Sequence, residues 1–150
     1  MAHQAQDDAV QAIVALVAAD PMRMEALHAV RSLALPDWLI AAGFVRNLVW
    51  DSLYGTQTAL NDIDVVYFCT DDCSQARDRR LEQQLHALAP TLPWSVKNQA
   101  RMHLRHGESP YRTTLDAMAR WPEKQTAIGV RLGDDGSLHL GYCFDPGLQF

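Results

Sequence analysis

The sequence is short of several things, and each shortage removes a class of function. Three cysteines in 150 residues form an odd set without the paired spacing of a zinc site or disulfide framework. Cys69 and Cys73, flanking an expected strand-to-helix turn, read as reduced thiols. His103-x-x-His106 lacks a nearby Glu or Cys at metalloenzyme spacing and reads as a surface turn. No apolar run approaches the roughly 20 residues that cross a bilayer, and the N-terminal stretch is too polar and acidic for a signal peptide. The expected compartment is the cytoplasm, with no membrane partner. Positive charge is scarce too: 13 Lys and Arg against 18 Asp and Glu leave a net charge of −5. A broad nucleic-acid surface needs a strongly basic domain, so none is expected. Internal repeats and low-complexity tracts are absent.

What is present suffices for one core. The hydrophobic fraction is 48%, and the length suits a single domain, read as residues 1–150 with a helical pair over 1–35 and a sheet-containing core over 36–150. Val10, Ile13, Val14 and Val17 recur at helical spacing, Asp20-Pro21 breaks the pattern, and Met22, Ala26, Ala29, Val30 and Leu33 resume it. A third helix is expected from about Ser74 to Leu88, with Leu81, Leu85 and Leu88 inward and Asp71 or Asp72 as cap. Ser109-Pro110 opens another, burying Tyr111, Leu115 and Met118, until Trp121-Pro122 stops it. Beyond it, Thr126 to Leu132 and Leu138 to Cys143 switch to a period of two around Gly133–Ser137, a hairpin signal. Arg131 projects from its first strand, toward a ligand or into a cross-strand pair. Residues 145–150 read as a loop. The fold class is α+β: a mixed sheet of about four to five strands with packed helices and an N-terminal helical pair.

The most informative stretch is Gly43-Phe44-Val45-Arg46-Asn47 followed by Asp62-Ile63-Asp64-Val65-Val66-Tyr67-Phe68. A strand alternates its side chains between faces, so Asp62 and Asp64 share one face while Ile63, Val65 and Tyr67 take the other. Two carboxylates so close repel unless a cation lies between them or one pKa rises. Mg²⁺ suits the pair, since it is commonly held by one or two carboxylates plus substrate phosphates. The plainer reading makes Asn61 and Asp62 turn residues at an exposed strand start.

The preceding segment supplies the parts of a phosphate site. Trp38–Ala42 reads as a short buried strand, Gly43 breaks it, and Val45, Leu48, Val49 and Leu53 form a helical apolar stripe. A helix opening through glycine turns free N–H groups and a positive dipole end toward anions. Arg46, in the first turn, can fork onto a phosphate or pair with Asp51 or another local carboxylate. Arg46 and Trp50 lie one turn apart, with Asn47 beside them.

Gly-x-x-Arg-Asn followed by Asp-x-Asp on the next strand resembles the core motif of the DNA polymerase beta-type nucleotidyltransferase superfamily. Residues 38–68, Trp94–His103, Trp121-Pro122-Glu123 and Thr126–Arg131 resemble a small bacterial nucleotidyltransferase-like family within it. The resemblance implies that Gly43 and Phe44 lie against a triphosphate, that Asp62 and Asp64 hold divalent metal and are catalytic, and that the partners are an NTP and an unidentified hydroxyl acceptor. Arg46 and Asn47 would hold the phosphates. Two departures stand out: Phe44 replaces the usual Ser or Gly, and the strand Trp94–Lys97 lacks the usual third carboxylate, leaving Ser95 in its place. Asp37, Asp71, Glu108 and Glu123 are candidate replacements. Lys97, Asn98 and Arg101 either reach the nucleotide or acceptor or belong to a solvated face; Lys97, Arg101 and Arg105 would form a basic ridge if helical. The two functional expectations are a Mg²⁺-dependent nucleotidyltransferase and a catalytically degenerate version of the fold serving as a nucleotide-binding or protein-interaction module.

Overall fold

The computed structural model describes residues 2–146, with side chains from residue 4; the rest of the expected loop at 147–150 lies outside the described residues. The order is α1 (Ala2–Ala18), α2 (Pro21–Arg31), β1 (Leu39–Ala41), α3 (Gly43–Tyr54), β2 (Ile63–Tyr67), α4 (Gln75–Leu88), β3 (Trp94–Asn98), α5 (His103–His106), α6 (Thr114–Met118), β4 (Ile128–Leu132) and β5 (Leu138–Tyr142). The strands form one five-stranded sheet in the order β3-β2-β1-β4-β5. Only β2 and β3 run parallel, with α4 as their crossover; the other pairs are antiparallel. This is the expected α+β architecture.

Strand alternation assigns each face of the sheet its role. Ile40, Ile63, Val65, Tyr67, Trp94, Val96, Ile128, Val130 and Leu132 turn to the main core, where they meet Val17, Leu27, Val30, Phe44, Val45, Leu81 and Leu85 from the first four helices. The opposite face carries a smaller cluster of Leu39, Ala41, Val66, Met118 and Ala127, so α6 covers only part of it. Asp64, Ser95 and Lys97 share that partly covered face, because Asp64 pairs in register with Ser95 and Val66 with Lys97.

Helix ends follow local chemistry. Asp20 caps α2 by accepting from the Met22 N–H, with Pro21 in the first helical position. Ser74 caps α4 through the Arg77 N–H, while Asp72 accepts from the Ser74 N–H one step earlier; the cap is therefore the serine and not Asp71 or Asp72. Leu88 and Leu53, expected inward, are 56% and 58% exposed; each sits in the last turn of its helix. The helix expected from Ser109-Pro110 begins at Thr114, capped by the Thr113 hydroxyl, which accepts from the Asp116 N–H. Tyr111 is still buried, but Leu115 is 36% exposed.

A buried polar knot ties α4 to the parallel strands. Asp78, 4% exposed, accepts from the Tyr67 hydroxyl at 2.6 Å and the Asn98 N–H at 3.2 Å, and pairs with Arg101 at 2.6 Å. Burial, with the Asp78 carboxylate beside it, pushes the Tyr67 phenol well above its usual pKa. Asn98 clamps the β2–α4 loop by donating to the Cys69 and Asp72 carbonyls. Among the described residues no helix is long and apolar enough to cross a membrane.

Candidate active site

The turn between β1 and α3 builds one wall of the site. Ala42 sits at φ 59°, ψ −130°, a backbone region costly for a residue with a Cβ. It is pinned there by its N–H, which donates to the Thr126 carbonyl at 3.2 Å. The Val45 and Arg46 N–H groups close the first turn onto the Ala42 carbonyl, which leaves the Gly43 and Phe44 N–H groups with no intrahelical acceptor. A Cβ on Gly43 would meet Asn47 Nδ2 at 3.3 Å and an Arg46 guanidinium nitrogen at 3.6 Å, so the Asn47 amide would have to give by a few tenths of an ångström. The Arg46 and Asn47 side chains thus fold back over the start of the helix. The N-terminus of α3 carries no side-chain cap.

The Phe44 ring is not part of this surface. It is fully buried in the main core, under the Arg23 guanidinium at 5.3 Å, and its carbonyl accepts from Arg23 Nε at 2.7 Å. Position 44 points inward from the first turn, so its side chain does not line the cavity that Gly43, Arg46 and Asn47 border.

Arg46 donates to Asn47 Oδ1 at 3.2 Å and to Glu123 at 3.1 Å, and it stacks over Trp50 at 5.0 Å. Its partner is Glu123 across the cleft and not Asp51, which instead takes hydrogen bonds from Thr56 and Thr58 beyond the end of α3.

The aspartates complete the cleft. Asp62 is exposed just before β2 and Asp64 is half-buried within it. Both border a cavity of about 450 Å³ together with Gly43, Arg46, Asn47 and Thr126. Burial first, then the charge of Asp62, raises the Asp64 pKa, while Lys97 and Arg46 pull it down. A carboxylate destabilised by its like-charged neighbour, with Arg46 and Lys97 only partly offsetting it, has the donor chemistry of a hard-cation site. Among the described residues no group of three or more His, Cys, Asp or Glu could hold a metal ion. Were Asp62 and Asp64 to hold a cation, phosphates and water would have to complete its coordination.

A stability consequence follows from that raised pKa. Because the folded chain holds the Asp64 proton more tightly than the unfolded chain does, this group's stabilising contribution is full below the unfolded value of about 3.9 and is lost as pH rises through the folded pKa. Asp64→Asn should raise Tm by about 2 °C at pH 7 in metal-free buffer, the size of a change under 1 kcal/mol in a domain this large. Scanning calorimetry at pH 7 and again near pH 3 checks this; the gain should vanish in acid, and a lower Tm at pH 7 would contradict it.

Of the remaining candidates, Lys97 lines a neighbouring cavity that Asp64 also borders, while Asn98 and Arg101 line neither that cavity nor the aspartate cleft. Asn98 is fully buried in the β2–α4 clamp, and Arg101 is held by Asp78 and the Cys73 carbonyl. No basic ridge forms, because Lys97 lies on β3, Arg101 in a 3₁₀ turn and Arg105 on α5. Of the candidate third acids, Asp37 is bound to Thr114, Asp71 is exposed in the β2–α4 loop and Glu108 is bound to Tyr111 and Arg120; Glu123 pairs with Arg46 and lines the cavity it shares with Asp64. Arg131 is exposed and faces His139 across the hairpin. His103, in α5, stacks edge-on against Tyr111 at 6.0 Å, so it is more than a surface turn.

A second cavity, of about 490 Å³, adjoins the first and shares Asp64 and Thr126 with it. Sequence reasoning missed Gln99 and Thr126, both of which line it. Alternation along β3 offered the signal for Gln99: Ser95 and Lys97 were placed on the Asp64 face, and the next step of two reaches 99. Thr126 gave no signal, because its carbonyl and position act only after β4 folds beside β1.

A mixed sheet with paired aspartates beside a helix N-terminus defines a nucleotidyltransferase-like fold. A family model described as nucleotidyltransferase matches residues 28–147, and the chain belongs to that family. A solved NMR structure described as revealing a CCA-adding enzyme head domain is 34% identical, with a TM-score of 0.76, over 89% of this chain and 71% of that one. Among curated proteins none matches.

Proposed function

We propose that this chain transfers a nucleoside monophosphate from an NTP to a hydroxyl acceptor, with Asp62 and Asp64 holding Mg²⁺. The observation that carries the reading is convergence on one cavity: two carboxylates, the uncapped start of α3, Arg46 and Asn47. The Gly43 and Phe44 N–H groups and the positive end of the α3 dipole would take the β- and γ-phosphates, with Arg46 released from Glu123 to fork onto them. The acceptor oxygen forms a bond to the α-phosphorus, the bond to the bridging oxygen breaks, pyrophosphate leaves with the electron pair, and the hydroxyl proton goes to solvent. Bound Mg²⁺ would neutralise charge on the phosphates. The chain's own contribution is positioning: Asp64 is fixed by the β1 and β3 ladders on either side.

Pyrophosphate release from the four NTPs, with and without EDTA, tests the reading. Release should require Mg²⁺; release of equal rate in EDTA would count against it. One observation favours the second reading, a degenerate nucleotide-binding or interaction module: Ser95 lies in register beside Asp64, where the resemblance leads to a third acid. Magnesium-dependent NTP binding without pyrophosphate release from any acceptor would select that reading.

A further inference from the structure

The 490 Å³ cavity beyond Asp64 has a composition unlike the phosphate cleft. Its walls include Tyr111, Trp121 and Met102, the cations Lys97 and Arg105, and Gln99. Gln99 is 3% exposed. Its amide donates from Nε2 to the Lys97 carbonyl at 3.3 Å, and because a carbonyl can only accept, this bond fixes the orientation of the amide. Gln99 Oε1 is then a buried acceptor with no donor among the described residues. Such an atom is costly unless a partner arrives. Lys97 and Arg105 form no ion pair among the described residues. The carboxylates that border the cavity, Asp64 and Glu123, stand at its boundary with the phosphate cleft, since Asp64 lines both and Glu123 pairs with Arg46.

We propose that this cavity is the acceptor site, and that it takes a small polyhydroxylated compound bearing one phosphate or carboxylate, anchored by Lys97 and Arg105 and donating an N–H or O–H to Gln99 Oε1. The inference rests on the nucleotidyl-transfer reading, because it uses the in-line geometry of phosphoryl displacement: attacking and leaving oxygens lie on opposite sides of the phosphorus. With pyrophosphate leaving over the start of α3 and the α-phosphate beside Asp64, the attacking hydroxyl approaches on the side of the phosphorus away from α3. This cavity, which shares Asp64 and Thr126 with the phosphate cleft and none of the α3 residues, is the adjoining space that can hold it. The volume suits a ligand of metabolite size. The aromatic rings supply an apolar wall for a sugar face, and Lys97 and Arg105 select an anionic compound over a neutral one.

Ribose 5-phosphate, gluconate and ribose are the probes, followed by the NMR signals of the Gln99 side-chain amide and the Trp121 indole. Ribose 5-phosphate or gluconate should shift both signals, and which of the two does so distinguishes a phosphate from a carboxylate anchor; ribose should bind at least 10-fold more weakly. Gln99→Leu and, separately, Lys97→Ala should each weaken the charged probe at least 5-fold, while Gln99→Leu leaves Mg²⁺-tripolyphosphate binding unchanged. The proposal is overturned if no charged probe shifts these signals, if Gln99→Leu leaves binding intact, if tripolyphosphate displaces the probe competitively, or if only a short RNA oligonucleotide shifts them. Failure of Mg²⁺-tripolyphosphate to bind would instead count against the nucleotidyl-transfer reading, because it concerns the other cavity.

Discussion

Asp64→Asn is expected to slow magnesium-dependent pyrophosphate release about 10³-fold, equivalent to about 4 kcal/mol of lost transition-state stabilisation. The reasoning starts from position. Asp64 is the carboxylate held on both sides by neighbouring strands, and it borders both cavities. An asparagine keeps the size and the hydrogen-bonding oxygen but loses the charge, so the fold survives while affinity for a divalent cation collapses. Asp62→Asn should be milder, since Asp62 is exposed and lies before the strand rather than in it. Steady-state kinetics of both variants checks the order. Equal rates in wild type and Asp64→Asn would remove Asp64 from the chemistry, and the small gain in Tm expected for this variant shows that any loss is not misfolding.

The second large effect concerns stability. Asp78→Ala is expected to lower stability by about 3–5 kcal/mol, the cost of removing one member of a buried ion pair, and Tm by about 10 °C. The change strands the Arg101 guanidinium, the Tyr67 hydroxyl and the Asn98 N–H together. Asp78→Asn should recover part of the loss, because an amide oxygen still accepts from one of these donors. Thermal unfolding of the two variants measures this. A Tm within 2 °C of wild type for Asp78→Ala would mean that the knot contributes nothing net.

The contrast between these two aspartates shows what the sequence could reveal. Asp64 was legible because strand periodicity is local: a polar residue between Ile63 and Val65 declares its face without knowledge of the neighbours. The same alternation located the hairpin of β4 and β5, while the glycine break and helical spacing located the start of α3 at Gly43. Asp78 was not legible, because a carboxylate in the first turn of a polar helix reads as solvated until β3 brings Asn98 and Arg101 to it. Phe44 misled for a related reason. The resemblance led to a side chain at position 44 against a triphosphate, but α3 buries the Phe44 ring in the main core. The Arg46 partner, Glu123, lies 77 residues away, a pairing that depends on β4 closing beside β1. The helix expected from Ser109-Pro110 is the shorter α6, because its start is set by the Thr113 cap and the Asp37–Thr114 bonds and not by the Ser109-Pro110 signal.

The most direct test of the paired-aspartate site is isothermal titration of ATP, GTP, CTP and UTP into the protein with and without Mg²⁺, beside the Asp62→Asn/Asp64→Asn double variant. The account predicts binding of at least one nucleotide that requires Mg²⁺ and disappears in the variant. Binding that persists undiminished in the double variant, or no binding of any of the four, would contradict it.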